Sequence, residues 1–223
     1  MPIYRTLNQN FFKKWSPKMA YVLGFFAADG NMIINNRGAH FMEFVSTDKS
    51  IIVKIKNALC SNHKISCRKR DKKWKPAYRL QIGSKEIFSD LVGLGMMPAK
   101  SNIIKLPNIP DDYFNDFLRG YFDGDGHVSV STYRRKGRKS KSTIIITGFT
   151  SGSRKFLEEL KLILENHKVA VGGSLYTTNG HHLCFSTRDS LRLYNFMYQK
   201  EKGLYLRRKK DIFKHYFNNF LGA

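Results

Sequence analysis

Apolar and polar positions follow two rhythms along this chain, and the whole pattern comes round twice. Residues 18–30 are apolar on nearly every side, which predicts a buried helix. Pro17 stands near its first turn and Gly30 just past its end. Runs at 31–35 and 40–47 predict strands joined by the turn signal Asn36-Arg37-Gly38. From Lys49 the period lengthens, and Ile51, Ile52, Ile55, Ala58 and Leu59 mark one helix face. A second strand pair is predicted at 64–70 and 78–83. There Tyr78, Leu80 and Ile82 point one way and Arg79 and Gln81 the other, while Lys64, Ser66, Arg68 and Arg70 share a face of the partner strand. A third helix is expected at 85–94.

The second half repeats this order. A helix at 112–125 leads into a strand at 127–133, where Val128 and Val130 alternate with His127, Ser129, Ser131 and Tyr133. A basic loop follows, with Arg134, Arg135, Lys136, Arg138, Lys139 and Lys141. Next come a strand at 143–150 and a helix carrying Phe156, Leu157, Leu160, Ile163 and Leu164, each 105 residues after its counterpart in the first half. Strands at 168–176 and 182–187, a helix at 190–198 and a last basic helix at 206–217 complete the reading. The expectation is an α+β fold of two pseudo-symmetric αββαββα repeats, residues 1–95 and 112–223. The proline-bearing segment 96–111 is the expected linker, lying on the surface. A repeat this long marks a duplicated domain rather than a solenoid.

One stretch anchors both copies. Gly24 and Ala28 in the first, and Gly120 and Gly124 in the second, sit four apart on an apolar helix that ends in Asp-Gly; Asp29 and Asp125 are 96 residues apart. Small residues at this spacing let two backbones approach closely, so the two helices are expected to pack on each other. The terminal acids need a different reason, because a helix C-terminus disfavours a carboxylate. Two such acids brought together would repel unless a cation lay between them. Oxygen-only ligands suit a hard divalent ion such as Mg²⁺. Asp123 has Ala27 as its counterpart, so a role shared by both halves excludes it, and it reads as a helix-end or interface residue.

Charge narrows the partner. Lys and Arg number 39 against 17 Asp and Glu, a net charge of +22 on 223 residues, which points to a polyanion, most often nucleic acid. Three cysteines, Cys60, Cys67 and Cys184, form no CxxC pair, so a zinc site or disulfide framework is not expected and a reducing, intracellular compartment is. No apolar run reaches the ~18–20 residues of a membrane span. Two acids, a hard cation and a basic protein suggest metal-assisted phosphodiester hydrolysis.

The two stretches resemble the signature of the LAGLIDADG homing endonucleases in their single-chain, two-motif form. Val22-Leu23-Gly24-Phe25-Phe26-Ala27-Ala28-Asp29-Gly30 fits it, with Ala27 where the family often has Asp; Leu118-Arg119-Gly120-Tyr121-Phe122-Asp123-Gly124-Asp125-Gly126 fits more closely. The resemblance covers nearly the whole chain. It implies that Asp29 and Asp125 bind divalent metal and that each cuts one strand, with the carbonyls of Ala28 and Gly124 completing the ligation. It implies Mg²⁺, with Mn²⁺ as an alternative and Ca²⁺ as a non-cleaving substitute. Each half would be a four-stranded saddle in the major groove, with scission across the minor groove leaving short 3′ overhangs. A basic residue is implied beside each scissile phosphate; Lys100 and Arg208 are the nearest matches, with Arg207 and Lys209 close behind.

Strand alternation then names a DNA-facing surface. The first half offers Arg37, Lys64, Ser66, Arg68, Arg70, Arg79 and Gln81; the second offers Ser129, Ser131, Tyr133 and the loop cations Arg134, Arg135, Lys136, Arg138, Lys139 and Lys141. Arg and Gln suit base edges, and Lys suits phosphates. A monomer following roughly one duplex turn per half would cover a non-palindromic site of about 20 base pairs. The competing reading is a non-cleaving protein on the same scaffold, a maturase for its own intron RNA or a transcription regulator. A residue usage rich in Lys, Asn, Ile, Phe and Tyr hints at an A+T-rich source, an organelle or a bacterial or archaeal cytoplasm.

Overall fold

The computed structural model describes residues 5–69, 73, 75–134, 137, 140–201 and 203–220. Helix α1, Pro17–Asp29, begins where Ser16 accepts a hydrogen bond from the Met19 amide through its hydroxyl, at 3.2 Å. This is an N-cap, with Pro17 in the first turn. Every residue from Met19 to Ala27 is buried, as expected of a helix with no polar face. Strands β1 (Gly30–Ile34) and β2 (His40–Ser46), helix α2 (Lys49–Ala58), strands β3 (Ile65–Arg68) and β4 (Ala77–Gly83) and helix α3 (Lys85–Gly93) follow. Asp48 and Ser84 cap α2 and α3.

The second half starts at α4 (Asp111–Asp125), with Asp111 and Asp112 in the first turn, where the helix dipole favours acids. Strands β5 (Gly126–Arg134) and β6 (Lys141–Ser151), helix α5 (Arg154–Asn166), strands β7 (Ser174–Thr177) and β8 (His181–Phe185), and helices α6 (Thr187–Tyr198) and α7 (Arg207–Phe220) complete the chain. Each half is a four-stranded antiparallel sheet, ordered β1-β2-β4-β3 and β5-β6-β8-β7. The halves share core geometry. Phe26 meets Phe44 edge-on at 5.2 Å between ring centroids, and their counterparts Phe122 and Phe149 do the same at 5.8 Å.

Three expectations need revision. Residues 168–173 form no strand; Lys168 takes φ +54° and Val169 and Ala170 are buried in a bend before β7. The segment 96–111 is not wholly on the surface, because Met96, Lys100 and Ile104 turn inward, with Lys100 in a 3-10 turn, Lys100–Asn102. Finally, β5 and β6 run longer than β1 and β2, so Arg134 and Lys141 belong to strand ends rather than to the loop.

Candidate metal centre and nucleic-acid interface

Helices α1 and α4 cross at their glycines. A Cβ built on Gly24 would lie 2.0 Å from the carbonyl oxygen of Phe117, and one on Gly120 would lie 2.0 Å from that of Tyr21. Phe117 and Tyr21 are themselves counterparts, so the crossing obeys the pseudo-twofold. One turn on, a Cβ on Gly124 would meet the Ala28 Cβ at 2.4 Å and stand 3.6 Å from Asp29 Oδ2. Only backbone this close brings the two helix ends, and so Asp29 and Asp125, together.

The two carboxylates feel each other. Asp29 is exposed on its cleft side; crowding by protein on the other sides, then the like charge of Asp125, push its carboxyl up to about 6. Burial raises Asp125 too, with Lys100 and Lys209 opposing. A cleft of about 280 Å³ opens here, lined by Asp29, Val45, Ser46, Thr47, Ala77, Asp123, Gly124 and Arg208. Its lining offers oxygen ligands only, the Asp29 carboxylate with the hydroxyls of Ser46 and Thr47, and glycine at 124 leaves room beside Asp29. That chemistry fits a hard divalent cation held by Asp29 and Asp125, with the Ala28 and Gly124 carbonyls within the same turn.

Two buried lysines flank the acids. Lys100 Nζ donates to the Gly30 carbonyl at 2.6 Å and stands 5.8 Å from the Phe26 ring. Lys209 Nζ donates to the Gly126 carbonyl at 2.6 Å and stands 5.1 Å from the Phe122 ring. Gly126 and Phe122 are the counterparts of Gly30 and Phe26. Lys209, rather than Arg208, is therefore the symmetric partner of Lys100. It also donates to the carbonyls of Phe122 at 2.6 Å and Asp123 at 2.9 Å, and more weakly to Gly124 at 3.4 Å. It thus serves carbonyls at the end of α4, of which that of Phe122 also accepts from the Gly126 amide, and its charge offsets the negative end of that helix. Burial lowers the Lys209 ammonium to about 8, with Asp123 pulling the other way. Burial likewise lowers Lys100, opposed by Asp125 and Asp29. Arg208 is exposed and lines the cleft.

Asp123 is 3% exposed. Its Oδ2 accepts from Tyr21 Oη at 2.6 Å and from the Leu206 amide at 2.7 Å, while Oδ1 is buried without a partner. Burial pushes its carboxyl up to about 6, against the Tyr21 hydrogen bond and Lys209. Nearby, Arg119 is 1% exposed, ion-paired to Asp116, and donates to the carbonyls of Met197 at 2.7 Å and Leu204 at 2.9 Å. Sequence reasoning missed Arg119, whose counterpart is Leu23; a lone arginine inside an apolar motif was the available signal.

On the sheets, register decides which side chains share a face. Ser66 pairs with Arg79, Arg68 with Ala77, and Gln81 with Glu43. Lys64, Ser66 and Arg68 are exposed; Arg79 and Gln81 are half-buried on the same side. Arg37 is exposed in the turn between β1 and β2. In the second half Ser129, Ser131, Tyr133, Arg134 and Lys141 are exposed. Arg70, Arg135, Lys136, Arg138 and Lys139 lie outside the described residues. Glu43, which the sequence reading passed over, accepts from both Arg79 and Gln81. His181 and His182 open strand β8, and His182 Nδ1 lies 3.3 Å from Thr150 Oγ1.

Comparison with known proteins gives the same architecture. A family model described as a LAGLIDADG-like domain matches residues 16–92 and again 112–196. The LAGLIDADG meganuclease I-AabMI, solved bound to uncleaved DNA, superposes with a TM-score of 0.65 at 14% identity, over 93% of this chain and 91% of that one. I-LtrWI, a LAGLIDADG homing endonuclease bound to target DNA, gives 0.59 at 14% identity, over 95% and 91%. I-SmaMI, bound to uncleaved DNA in the presence of calcium ions, gives 0.60 at 12% identity, over 84% and 85%. At these identities the likeness is one of fold. Among curated sequences, a probable translation initiation factor of Thermococcus kodakarensis is 34% identical over 99 residues, 43% of this chain and 7% of that protein. An uncharacterized protein of Methanocaldococcus jannaschii is 26% identical over 121 residues, 51% of this chain and 40% of that one.

Proposed function

The chain belongs to the LAGLIDADG family, and from that premise we propose that it is a site-specific double-strand DNA endonuclease, a homing enzyme working as a monomer on a non-palindromic duplex. The observation that carries this reading is the nearness of Asp29 and Asp125 at the adjoining ends of α1 and α4, whose backbones meet at Gly24 and Gly120.

Asp29 and Asp125, with the carbonyls of Ala28 and Gly124, would hold Mg²⁺, with Mn²⁺ able to replace it. When bound, such an ion activates water and stabilises the leaving oxygen at phosphorus. The protein's own part is placement. The close crossing of α1 and α4 fixes the spacing of the two carboxylates, so that each faces one strand of a duplex laid across the seam. Lys100 and Lys209 place positive charge beside them, which opposes the rise that burial gives both acids and favours an approaching phosphate. The exposed cations of the two sheets meet the DNA backbone, and Arg79 and Gln81 supply donors of the kind that read base edges. I-AabMI, I-LtrWI and I-SmaMI are described as DNA-bound, which supports the same class of partner here.

The test is incubation of the full chain with a plasmid library of randomised ~20-base-pair inserts, in Mg²⁺ against EDTA. Metal-dependent linearisation at one enriched site, leaving 3′ overhangs, is expected. Enrichment of a site with no cutting in Mg²⁺ or Mn²⁺ would instead favour a non-cleaving nucleic-acid binder.

A further inference from the structure

Among the described residues, the eight strands carry a single acidic side chain, Glu43. It stands on the sheet face that the proposed function gives to DNA, where a bare carboxylate would repel phosphate. It is 7% exposed and lies in β2, directly opposite Asn31 on one side and Gln81 on the other, two residues beyond the level of Asp29. Its Oε1 accepts from Gln81 Nε2 at 2.8 Å and from Arg79 Nη2.

The chemistry of that acceptor is restrictive. An ionised carboxylate can only accept, so Gln81 must turn its NH₂ end toward Glu43, and the amide cannot flip. One N–H and the amide oxygen remain, the pair that adenine N7 and N6 require. Arg79 gives Glu43 one hydrogen of Nη2. Nη1 and the second Nη2 hydrogen remain, the pair that guanine O6 and N7 require. The equivalent rung of the second half is His127, Gly148 and Cys184. There the residue is Gly148, and the His127 ring occupies the space, 2.1 Å from where its Cβ would be, so this rung has no carboxylate.

We propose that Glu43 is a positioning residue for sequence reading: it orients Arg79 and Gln81 so that the first half selects a guanine and an adenine in the inner part of its half-site. Arg79 and Gln81 are two residues apart on one strand, about 7 Å, so the two bases lie about two base-pair steps apart. This inference rests on the reading of the chain as a site-specific DNA endonuclease.

The full chain and its Glu43→Gln and Glu43→Asp variants are each put through selection from randomised duplex in Ca²⁺ buffer, and the preference at every base pair is measured. Glu43→Gln keeps the shape but lets the amide of residue 81 flip and releases Arg79. Discrimination should fall about tenfold at one guanine and one adenine position of a single half-site, with the other half-site profile unchanged. Glu43→Asp, which keeps the charge, should retain part of that discrimination. A Glu43→Gln profile identical to wild type, or one weakened equally in both half-sites, overturns the assignment and leaves only a structural ion pair. If the wild-type chain enriches no sequence at all, the endonuclease reading falls, and this inference with it.

Discussion

Tyr21 donates its phenolic hydrogen to Asp123 over 2.6 Å, across the seam between α1 and α4, whereas the pseudo-symmetric positions hold Phe117 and Ala27. The seam is thus polar on one side and apolar on the other. Asp123 Oδ1 already lacks a partner, so removing the Tyr21 hydroxyl takes one of only two hydrogen bonds from a buried carboxylate. Tyr21→Phe should lower unfolding free energy by about 1–3 kcal/mol, read by urea titration at neutral pH. An unchanged midpoint would mean that the bond contributes nothing net.

The same carboxylate predicts a pH dependence. Its folded-state value, about 6, lies above the usual 3.8. Between those values the folded protein holds more protons than the unfolded chain, so stability from this group is greatest at low pH and falls as pH rises through about 4 to 6. The drop should reach up to about 3 kcal/mol. Asp123→Asn removes this titration while leaving Asp29 and Asp125 in place. The difference between wild-type and variant unfolding curves, measured from about pH 4 to pH 7, should carry that slope; a flat difference would contradict it.

Replacing either crossing glycine with alanine should be costly. At Gly24 and Gly120 the new Cβ would stand 2.0 Å from a backbone oxygen of the opposite helix, so the helices must separate. The helical preference of alanine returns only about 1 kcal/mol, against overpacking of about 3 kcal/mol or more. Cleavage should suffer more than DNA binding, because the separation acts on the spacing of Asp29 and Asp125. Side-by-side binding and cleavage assays on Gly120→Ala would check this ordering.

Asp29→Asn and Asp125→Asn should each bind target DNA about as well as wild type and make no double-strand cut. Gel retardation beside plasmid linearisation separates the two effects. Full cutting by either variant would remove that acid from the metal assignment.

Lys209 and Arg208 adjoin in sequence but should behave differently. Lys209→Met leaves carbonyls at the end of α4 without their shared donor and should cost about 2–3 kcal/mol along with cleavage. Arg208→Ala, on an exposed side chain, should leave the melting temperature within error and weaken DNA binding at most. Equal melting losses for both would contradict the symmetry of Lys209 with Lys100.

The fold was readable because its signals are local and duplicated. Period changes at Gly30 and Gly126, turn residues at 36–38 and matching apolar positions 96 or 105 residues apart placed most elements within a few residues. What escaped depended on contacts between distant segments. In the run Arg207-Arg208-Lys209-Lys210, helical phase alone could not show which cation turns inward; the carbonyls of Gly126 and Phe122, over 80 residues away, decide it. The strand expected at 168–176 begins only at Ser174, because Val169 and Ala170 are buried in a bend, and apolar residues report burial rather than extension. Glu43 was legible as the one acid among the strand residues, but its partners emerge only from the register of β2 against β4.

The lopsided seam also decides which halves can face each other. Two first halves brought together would set Tyr21 against Ala27 twice, leaving both phenols without an acceptor. Two second halves would press Asp123 against Phe117 twice, a buried carboxylate against a ring. Only the mixed pairing satisfies hydrogen bond and packing together. Either like pairing would therefore lose a hydrogen bond or bury a charge against a ring, so the preference for unlike halves is written in Tyr21 and Asp123 and does not depend on the 96–111 connection.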